Sequence, residues 1–181
     1  ADIVISEIRG VQDETGESPF YMNLAKHFFK MDFKQADFTN ATQGSQFISD
    51  LMPKYPIYVT LLDQRAQEVI GQPFAASKPA MQLLEAEGFR HQGYVDVFDA
   101  GPTMQAERSQ IRTVRKSRNI PLAGIKPVSA KPAYMISNAE FAGFRATLAG
   151  LEESEKGAIV SPETAAALGV KAGDRVRVIE A

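Results

Sequence analysis

The stretch Ser77-Lys78-Pro79-Ala80-Met81-Gln82-Leu83-Leu84-Glu85-Ala86-Glu87-Gly88-Phe89, followed by Tyr94-Val95-Asp96-Val97-Phe98-Asp99 and then Ala100-Gly101-Pro102-Thr103, decides how the chain is read. Ser77 is placed to cap a helix, and Pro79 falls in the first turn, where its missing N–H does no harm. Gly88 can take the left-handed conformation that closes the helix, so that Phe89 folds back on Leu84. The run from Tyr94 to Asp99 predicts a strand. A helix is thereby delivered onto a sheet, and the expected class is α/β (α+β), with a mixed central sheet flanked by helices.

Working outward, Asp2-Ile3-Val4-Ile5-Ser6-Glu7-Ile8-Arg9 reads as a strand with apolar residues on both faces at its start. Such a strand wants neighbours on both sides and layers above and below, so a further segment, upstream or in another chain, is expected to lie against it. Gly10 to Gly16 is a turn-rich loop. Ser18-Pro19 opens a helix carrying Phe20, Tyr21, Leu24, Ala25 and Phe28 at helical spacing. Phe29 to Phe38 reads as a short aromatic connection with at most one helical turn. Ser45 to Met52 predicts a helix stopped by Pro53, Pro56 to Thr60 a short strand or extended segment, and Asp63 the cap of a helix that Gly71 ends.

Met104 to Ile120 predicts one or two strands, and Pro121 to Pro132 a linker or irregular edge. Ala133 to Ile136 and Phe144 to Leu148 resemble strands. Ser161-Pro162-Glu163 starts a short helix closed by Gly169, and Asp174 to Ile179 alternates Val176 and Val178 against Arg175 and Arg177, as a half-buried strand does. Two regions follow: residues 1–120 as the main α/β part and residues 121–181 as a small strand-rich C-terminal appendage.

The 181 residues are 44% hydrophobic and 23% charged, enough to bury a real core. There is no cysteine, so neither disulfides nor thiolate chemistry is available, and two histidines do not make a zinc site; no metal is expected. The formal net charge of -2 argues against a general polyanion binder, so no nucleic-acid partner is expected. No apolar run has the length needed to cross a bilayer, and a cytoplasmic setting is expected.

Several ordered blocks extend this reading: Glu7-Ile8-Arg9-Gly10, Ser18-Pro19-Phe20, Phe28-Phe29-Lys30-Met31-Asp32-Phe33, Leu51-Met52-Pro53-Lys54-Tyr55-Pro56-Ile57-Tyr58, Ala66-Gln67-Glu68-Val69-Ile70-Gly71-Gln72, Glu87-Gly88-Phe89 and Phe98-Asp99-Ala100-Gly101-Pro102-Thr103. Arg115-Lys116-Ser117-Arg118 and Gly173-Asp174-Arg175-Val176-Arg177 carry the pattern nearly to the end. In order and spacing these blocks resemble the C-terminal half of the arginine N-succinyltransferase family. The resemblance implies a GNAT-like acyl-CoA N-acyltransferase fold and transfer of a succinyl group from succinyl-CoA, as co-substrate, to the α-amino group of L-arginine, in arginine catabolism. It implies no permanently bound cofactor, and an N-terminal half or second subunit as partner within an oligomer. That N-terminal half carries the family's CoA-pyrophosphate loop, an Arg/Gln-x-x-Gly-x-Gly/Ala element that this sequence does not contain. A family histidine proposed as proton donor falls just after Gly71-Gln72, where this chain has Pro73-Phe74. Phenylalanine transfers no proton, so the acid is not carried over. The resemblance therefore leaves three functions open: the succinyltransferase itself, a non-catalytic or regulatory subunit of it, and an acyltransferase for another amine such as ornithine.

Succinylating an amine requires a base for the amine, stabilisation of the thioester oxygen and a proton for the departing thiolate. Candidate proton carriers are His27, His91, Tyr58 and Tyr94, with no catalytic residue assigned among them. An arginine substrate asks for carboxylates, because guanidinium binds planar oxygen pairs. Glu7 and Arg9, at i and i+2 on one strand face, can meet the cation and carboxylate ends of an amino acid, or can pair with each other or across the sheet. Asp32 and Asp99 are carboxylates among apolar residues, either substrate-binding groups or cap and turn formers. Arg108, Arg112, Arg115, Lys116 and Arg118 form the one dense basic run, suited to CoA phosphates or to a solvated strand face.

Overall fold

A computed structural model describes residues 2–181, which fall into two compact units, one running to Ile111 and the other spanning Arg112–Ala181. In the first unit the chain begins with β1 (Ile3–Glu7) and continues through α1 (Pro19–Phe28), α2 (Phe33–Gln43), α3 (Ser45–Leu51), α4 (Gln64–Glu68) and α5 (Lys78–Glu87) to β2 (Arg90–Val95) and β3 (Pro102–Glu107). The three strands form a sheet in the order β1-β3-β2, antiparallel throughout, with Ile3 opposite Glu107 and Glu7 opposite Thr103.

Local chemistry accounts for the helix boundaries. Ser18 Oγ accepts from Tyr21 N at 3.3 Å and Pro19 stands at the first helical position, so α1 starts where the sequence says it should. Asp63 Oδ1 accepts from Ala66 N at 2.8 Å to cap α4. At the end of α5, Gly88 has φ of 103° and Phe89 N donates to Leu84 O at 3.0 Å, the six-to-one bond of a Schellman ending. Phe89 and Leu84 then join Ile8, Met104 and Ala106 in the core under α5.

Five expectations for this unit are corrected. Phe29 to Phe38 is not a connection: Asp32 Oδ1 accepts from Gln35 N at 2.9 Å and caps α2, a full helix whose buried residues, Phe33 and Ala36, are too few to show as a periodic stripe. Of the strand or extended segment expected over Pro56 to Thr60, no strand forms; Tyr58 is extended, and a 3-10 turn takes over at Val59–Leu61. Ser77 makes no side-chain cap, because the 3-10 turn Ala75–Ser77 winds directly into α5. The second strand is Arg90–Val95 rather than Tyr94–Asp99: Asp96 N donates to Gly101 O at 2.8 Å and Ala100 N to Asp96 O at 3.0 Å, turning the chain where the apolar alternation predicted extension. The strand after Met104 ends at Glu107 in another 3-10 turn, Arg108–Gln110.

A second apolar cluster binds the helices together. Tyr21 is 1% exposed, with ring centroids 5.4, 5.6 and 5.1 Å from those of Phe29, Phe33 and Phe98. Its hydroxyl donates to Met31 O at 3.3 Å, and burial, followed by the nearby Asp32 carboxylate, pushes its pKa up to about 12.

The second unit contains α6 (Arg112–Lys116), β4 (Arg118–Ile125), β5 (Tyr134–Asn138), β6 (Ala146–Ala149), β7 (Glu152–Ser154), β8 (Gly157–Val160), α7 (Pro162–Leu168) and β9 (Arg175–Glu180). Its sheet runs β6-β5-β9-β4-β8-β7, with Val176 and Val178 fully buried as the alternation in the tail predicted. Ser161 and Gly169 bound α7 as expected, Ser161 Oγ accepting from Thr164 N and Gly169 taking φ of 68°. The basic stretch after Ile111 is helical rather than extended. Pro121 lies inside β4, not in a linker: β4 pairs with β9 up to Pro121 and changes to parallel pairing with β8 from Leu122 onward. A residue without an N–H is tolerated at that change of partner.

Among the glycines of the first unit the tightest surroundings are at Gly101, where an added Cβ would stand 1.9 Å from Ile8 O, followed by Gly10, with Asp99 O at 2.3 Å. Gly101→Ala is therefore expected to destabilise the first unit by roughly 3 kcal/mol or more. Gly124→Ala, whose Cβ would meet only Ile159 Cγ1 at 4.0 Å, should leave stability within about 1 kcal/mol. Urea unfolding followed by circular dichroism checks both, and equal effects would contradict the steric assignment.

Candidate functional site

The Gly10–Gly101 crossing is tied by one side chain. Asp99, 4% exposed, accepts from Gly10 N through Oδ2 and from Gly101 N through Oδ1, each at 2.8 Å. Gly71 N donates to Ala100 O at 2.8 Å, Phe74 N donates to Arg9 O at 2.8 Å, and Pro73 bridges to Gly10. The Gly71–Phe74 loop is thus pinned by its backbone to the ends of β1 and β3. Ala100, with φ of 59°, completes the turn.

This tie sets the groove beside it. Glu7 at the end of β1, Asp96 in the turn after β2, Asn40 from α2 and Ser49 and Lys54 from α3 and its exit surround a space of ≈ 390 Å³ floored by Ile48, Met52 and Phe98. Asn40 Oδ1, itself buried, has no hydrogen-bond partner within the described residues. Met52, Pro53, Asp96 and Val97 also line an adjoining apolar space of ≈ 240 Å³ with Phe20, Leu24, Tyr55, Ile57 and Val59. The groove therefore combines two carboxylates, an ammonium and amide and hydroxyl groups with an apolar floor. That inventory suits a ligand with a cationic end, an anionic end and an aliphatic stem.

Desolvation pushes the Asp96 carboxyl above the ordinary aspartate value of 3.8, against backbone N–H bonds that favour its charge, and Glu7 adds repulsion. Asp99 is raised for the same first reason, opposed by the Gly10 and Gly101 N–H groups and reinforced by Asp96.

The fold gives the four residues expected to bind substrate different surroundings. Glu7 lines the groove. Arg9 turns instead to Asp37, Nη2 to Oδ2 at 2.9 Å, in an exposed ion pair. Asp32 spends one carboxylate oxygen on the cap of α2, and Asp99 spends both on the glycine crossing. None of His27, His91, Tyr58 and Tyr94 lines the groove. His91 holds its Nδ1 3.3 Å from Thr103 O, and His27 is exposed in the last turn of α1. Among the described residues no three His, Asp or Glu side chains gather to hold a metal. Asp96, Lys54, Asn40 and Ser49 are the polar groove residues that sequence reasoning missed. Asp96 was masked by its place between Val95 and Val97, which reads as strand, while Lys54 lies in a block quoted above with no chemistry assigned to it.

Because the native carboxyls are raised, Asp96 and Asp99 contribute stability that is fully present below pH 3.8 and is lost as pH rises through their folded pKa values. Asp96→Asn should flatten this decline in the urea midpoint across that window, and a variant as steep as the parent would refute it. Asp99→Asn sets an NH2 against one of the two glycine N–H groups and should cost about 1–3 kcal/mol at neutral pH.

Comparison with known proteins shows what the chain as a whole is similar to. A family model described as arginine N-succinyltransferase beta subunit matches residues 1–113, and one for the C-terminal domain of the same subunit matches residues 118–180. Arginine N-succinyltransferases from Escherichia coli (strain 55989 / EAEC) and Shigella flexneri are each 44% identical over 179 residues, covering 98% of this chain and 52% of the relative. A solved structure, described as arginine/ornithine succinyltransferase subunit AI from Pseudomonas aeruginosa, superposes with a TM-score of 0.76 at 36% identity, over 99% of this chain and 51% of the other. The chain thus spans about half the length of the relatives it matches.

Proposed function

This chain belongs to the arginine N-succinyltransferase beta subunit family, and on that premise we propose that it supplies the acceptor-binding half of an enzyme that moves a succinyl group from succinyl-CoA to the α-amino group of L-arginine, in the cytoplasm. The observation that carries this reading is the groove in which Glu7 and Asp96 stand with Lys54 over an apolar floor. The carboxylates take the guanidinium, Lys54 takes the substrate carboxylate, and the aliphatic stem lies along Met52 and Phe98. The free amine attacks the thioester carbonyl carbon, the C–N bond forms as the C–S bond breaks, and the proton lost by nitrogen balances the one gained by the CoA thiolate. This chain offers the groove no cysteine nucleophile, and the reading takes transfer as direct, in a ternary complex.

The complementary half of the longer protein, or a separate subunit equivalent to it, completes the site. Among the described residues β1 pairs only with β3, and Ile3 and Ile5 are 51% and 60% exposed on its face. A free edge with exposed isoleucines and no lysine or proline to protect it is suited to covering by that half. We assign acyl transfer to the first unit and a supporting role to the second. The regulatory reading is favoured by one position, Phe74, whose backbone N–H is spent on Arg9 O and whose ring has no acidic proton to transfer.

Thiol release from succinyl-CoA should require both this chain and the complementary half, with L-arginine or L-ornithine as acceptor. Glu7→Gln and Asp96→Asn should each raise the KM for arginine about tenfold, equivalent to ~1.4 kcal/mol, with a smaller change in kcat. Unchanged KM values in both variants would remove the groove from substrate binding. Turnover by the complementary half alone, with this chain only changing its rate, would establish the regulatory reading.

A further inference from the structure

Of the carboxylates that the sequence put forward for the substrate, Asp99 does not line the groove, yet its two oxygens connect the segments that carry both groove carboxylates. Oδ1 accepts from Gly101 N at 2.8 Å, and Gly101 O in turn accepts from Asp96 N at 2.8 Å. The turn that presents Asp96 is closed a second time by Ala100 N, which donates to Asp96 O at 3.0 Å. Oδ2 accepts from Gly10 N at 2.8 Å, three residues after Glu7. Between Glu7 and Gly10, Ile8 N donates to Pro102 O at 3.1 Å and Arg9 O accepts from Phe74 N at 2.8 Å, so the chain is held at each residue that follows Glu7.

One side chain therefore joins the end of β1 to the turn after β2. The two N–H groups it takes belong to backbones in direct contact, since a Cβ on Gly101 would stand 2.5 Å from Gly10 N. A carboxylate supplies two acceptors to such a pair, whereas an amide supplies one acceptor and a donor, and a hydroxyl a single oxygen. At 4% exposure Asp99 is shielded from the water that would replace either bond.

What this connection fixes is the separation of Glu7 and Asp96. A guanidinium is planar and presents its donors along fixed edges, so two carboxylates serve it only at a matching spacing and tilt. An ammonium is a compact point charge that re-centres against the nearer carboxylate. We propose, on the arginine-binding reading of the groove, that Asp99 is a positioning residue: it does not meet the acceptor, sets the Glu7–Asp96 separation through Gly10 and Gly101, and so favours a guanidinium-bearing acceptor over an ammonium-bearing one such as ornithine.

Steady-state kinetics of this chain assembled with its complementary half test this with L-arginine and L-ornithine as acceptors. Asp99→Asn should raise the arginine KM about tenfold and the ornithine KM less than about threefold, with kcat for each within about threefold of the parent. In an Asp96→Asn background the same change should add less than about twofold to the arginine KM, because no pair is left to space. Asp63→Ala, which removes the cap of α4 and lowers stability away from the groove, should leave the ratio of the two KM values as in the parent. Equal effects of Asp99→Asn on both acceptors, multiplicative effects in the double variant, or a fall in kcat alone would overturn the positioning role. If Asp99→Asn does not fold, backbone amide NMR of the parent carries the comparison: the Gly10 and Gly101 resonances should shift more on saturation with L-arginine than with L-ornithine, and equal shifts or none would overturn the proposal. Unchanged arginine KM values in both Glu7→Gln and Asp96→Asn would sink the groove reading and this proposal with it. Raised values there beside an unaltered one in Asp99→Asn would strike the positioning role alone.

Discussion

The first unit depends on two backbones passing at the distance only glycine allows. Gly10, just after β1, and Gly101, just before β3, leave no room for a Cβ, and the Asp99 carboxylate fastens both N–H groups from the side. A buried carboxylate is costly to desolvate, and two charge-assisted hydrogen bonds offset part of that cost. The Gly71–Phe74 loop, hung from Ala100 and Arg9, inherits its position from the crossing, as does the turn that presents Asp96. The groove is therefore a consequence of how β1 and β3 meet.

The helices reach the same place by a different force. Phe98, one residue before the tie, stacks on Phe33 with centroids 5.1 Å apart and an interplanar angle of 6°, and its ring also meets Tyr21. Aromatic packing thus holds α1 and α2 against the turn that carries Asp96 and Asp99. Through Ile48 in the same cluster, α3 brings Ser49, Met52 and Lys54 to the groove. Polar fastening on one side of Phe98 and apolar packing on the other frame the groove.

How far this was legible in the chain varies residue by residue. Ser18-Pro19, Asp63, Gly88 and Ser161 announced helix ends because a cap is a local interaction, complete within three or four residues. Asp32 is the informative exception. Its capping signal was present, but the helix it starts has so few buried residues that the aromatic neighbours suggested a connection. Asp96 misled in the opposite direction, since Val95 and Val97 supplied strand alternation while its own carboxylate and the contact with Gly101 turned the chain. Of the residues proposed from sequence to meet substrate, Glu7 faces the groove, whereas Arg9, Asp32 and Asp99 have partners elsewhere in the unit. Those partners, Asp37, Gln35 and the two glycines, include long-range ones that no local pattern reveals.

By itself, the sequence determined the family, the α/β class, most helix ends and the alternating strand at Arg175–Glu180, because each rests on short-range spacing or on the order of many blocks along the chain. Only the tertiary structure decided which carboxylates face open space and which are consumed as fasteners, where β4 changes partner at Pro121, and that the basic stretch from Arg112 to Lys116 is a helix. These are outcomes of contacts between residues distant in the chain or of a choice between helix and strand. Such contacts exist only once packing has settled which backbone groups meet.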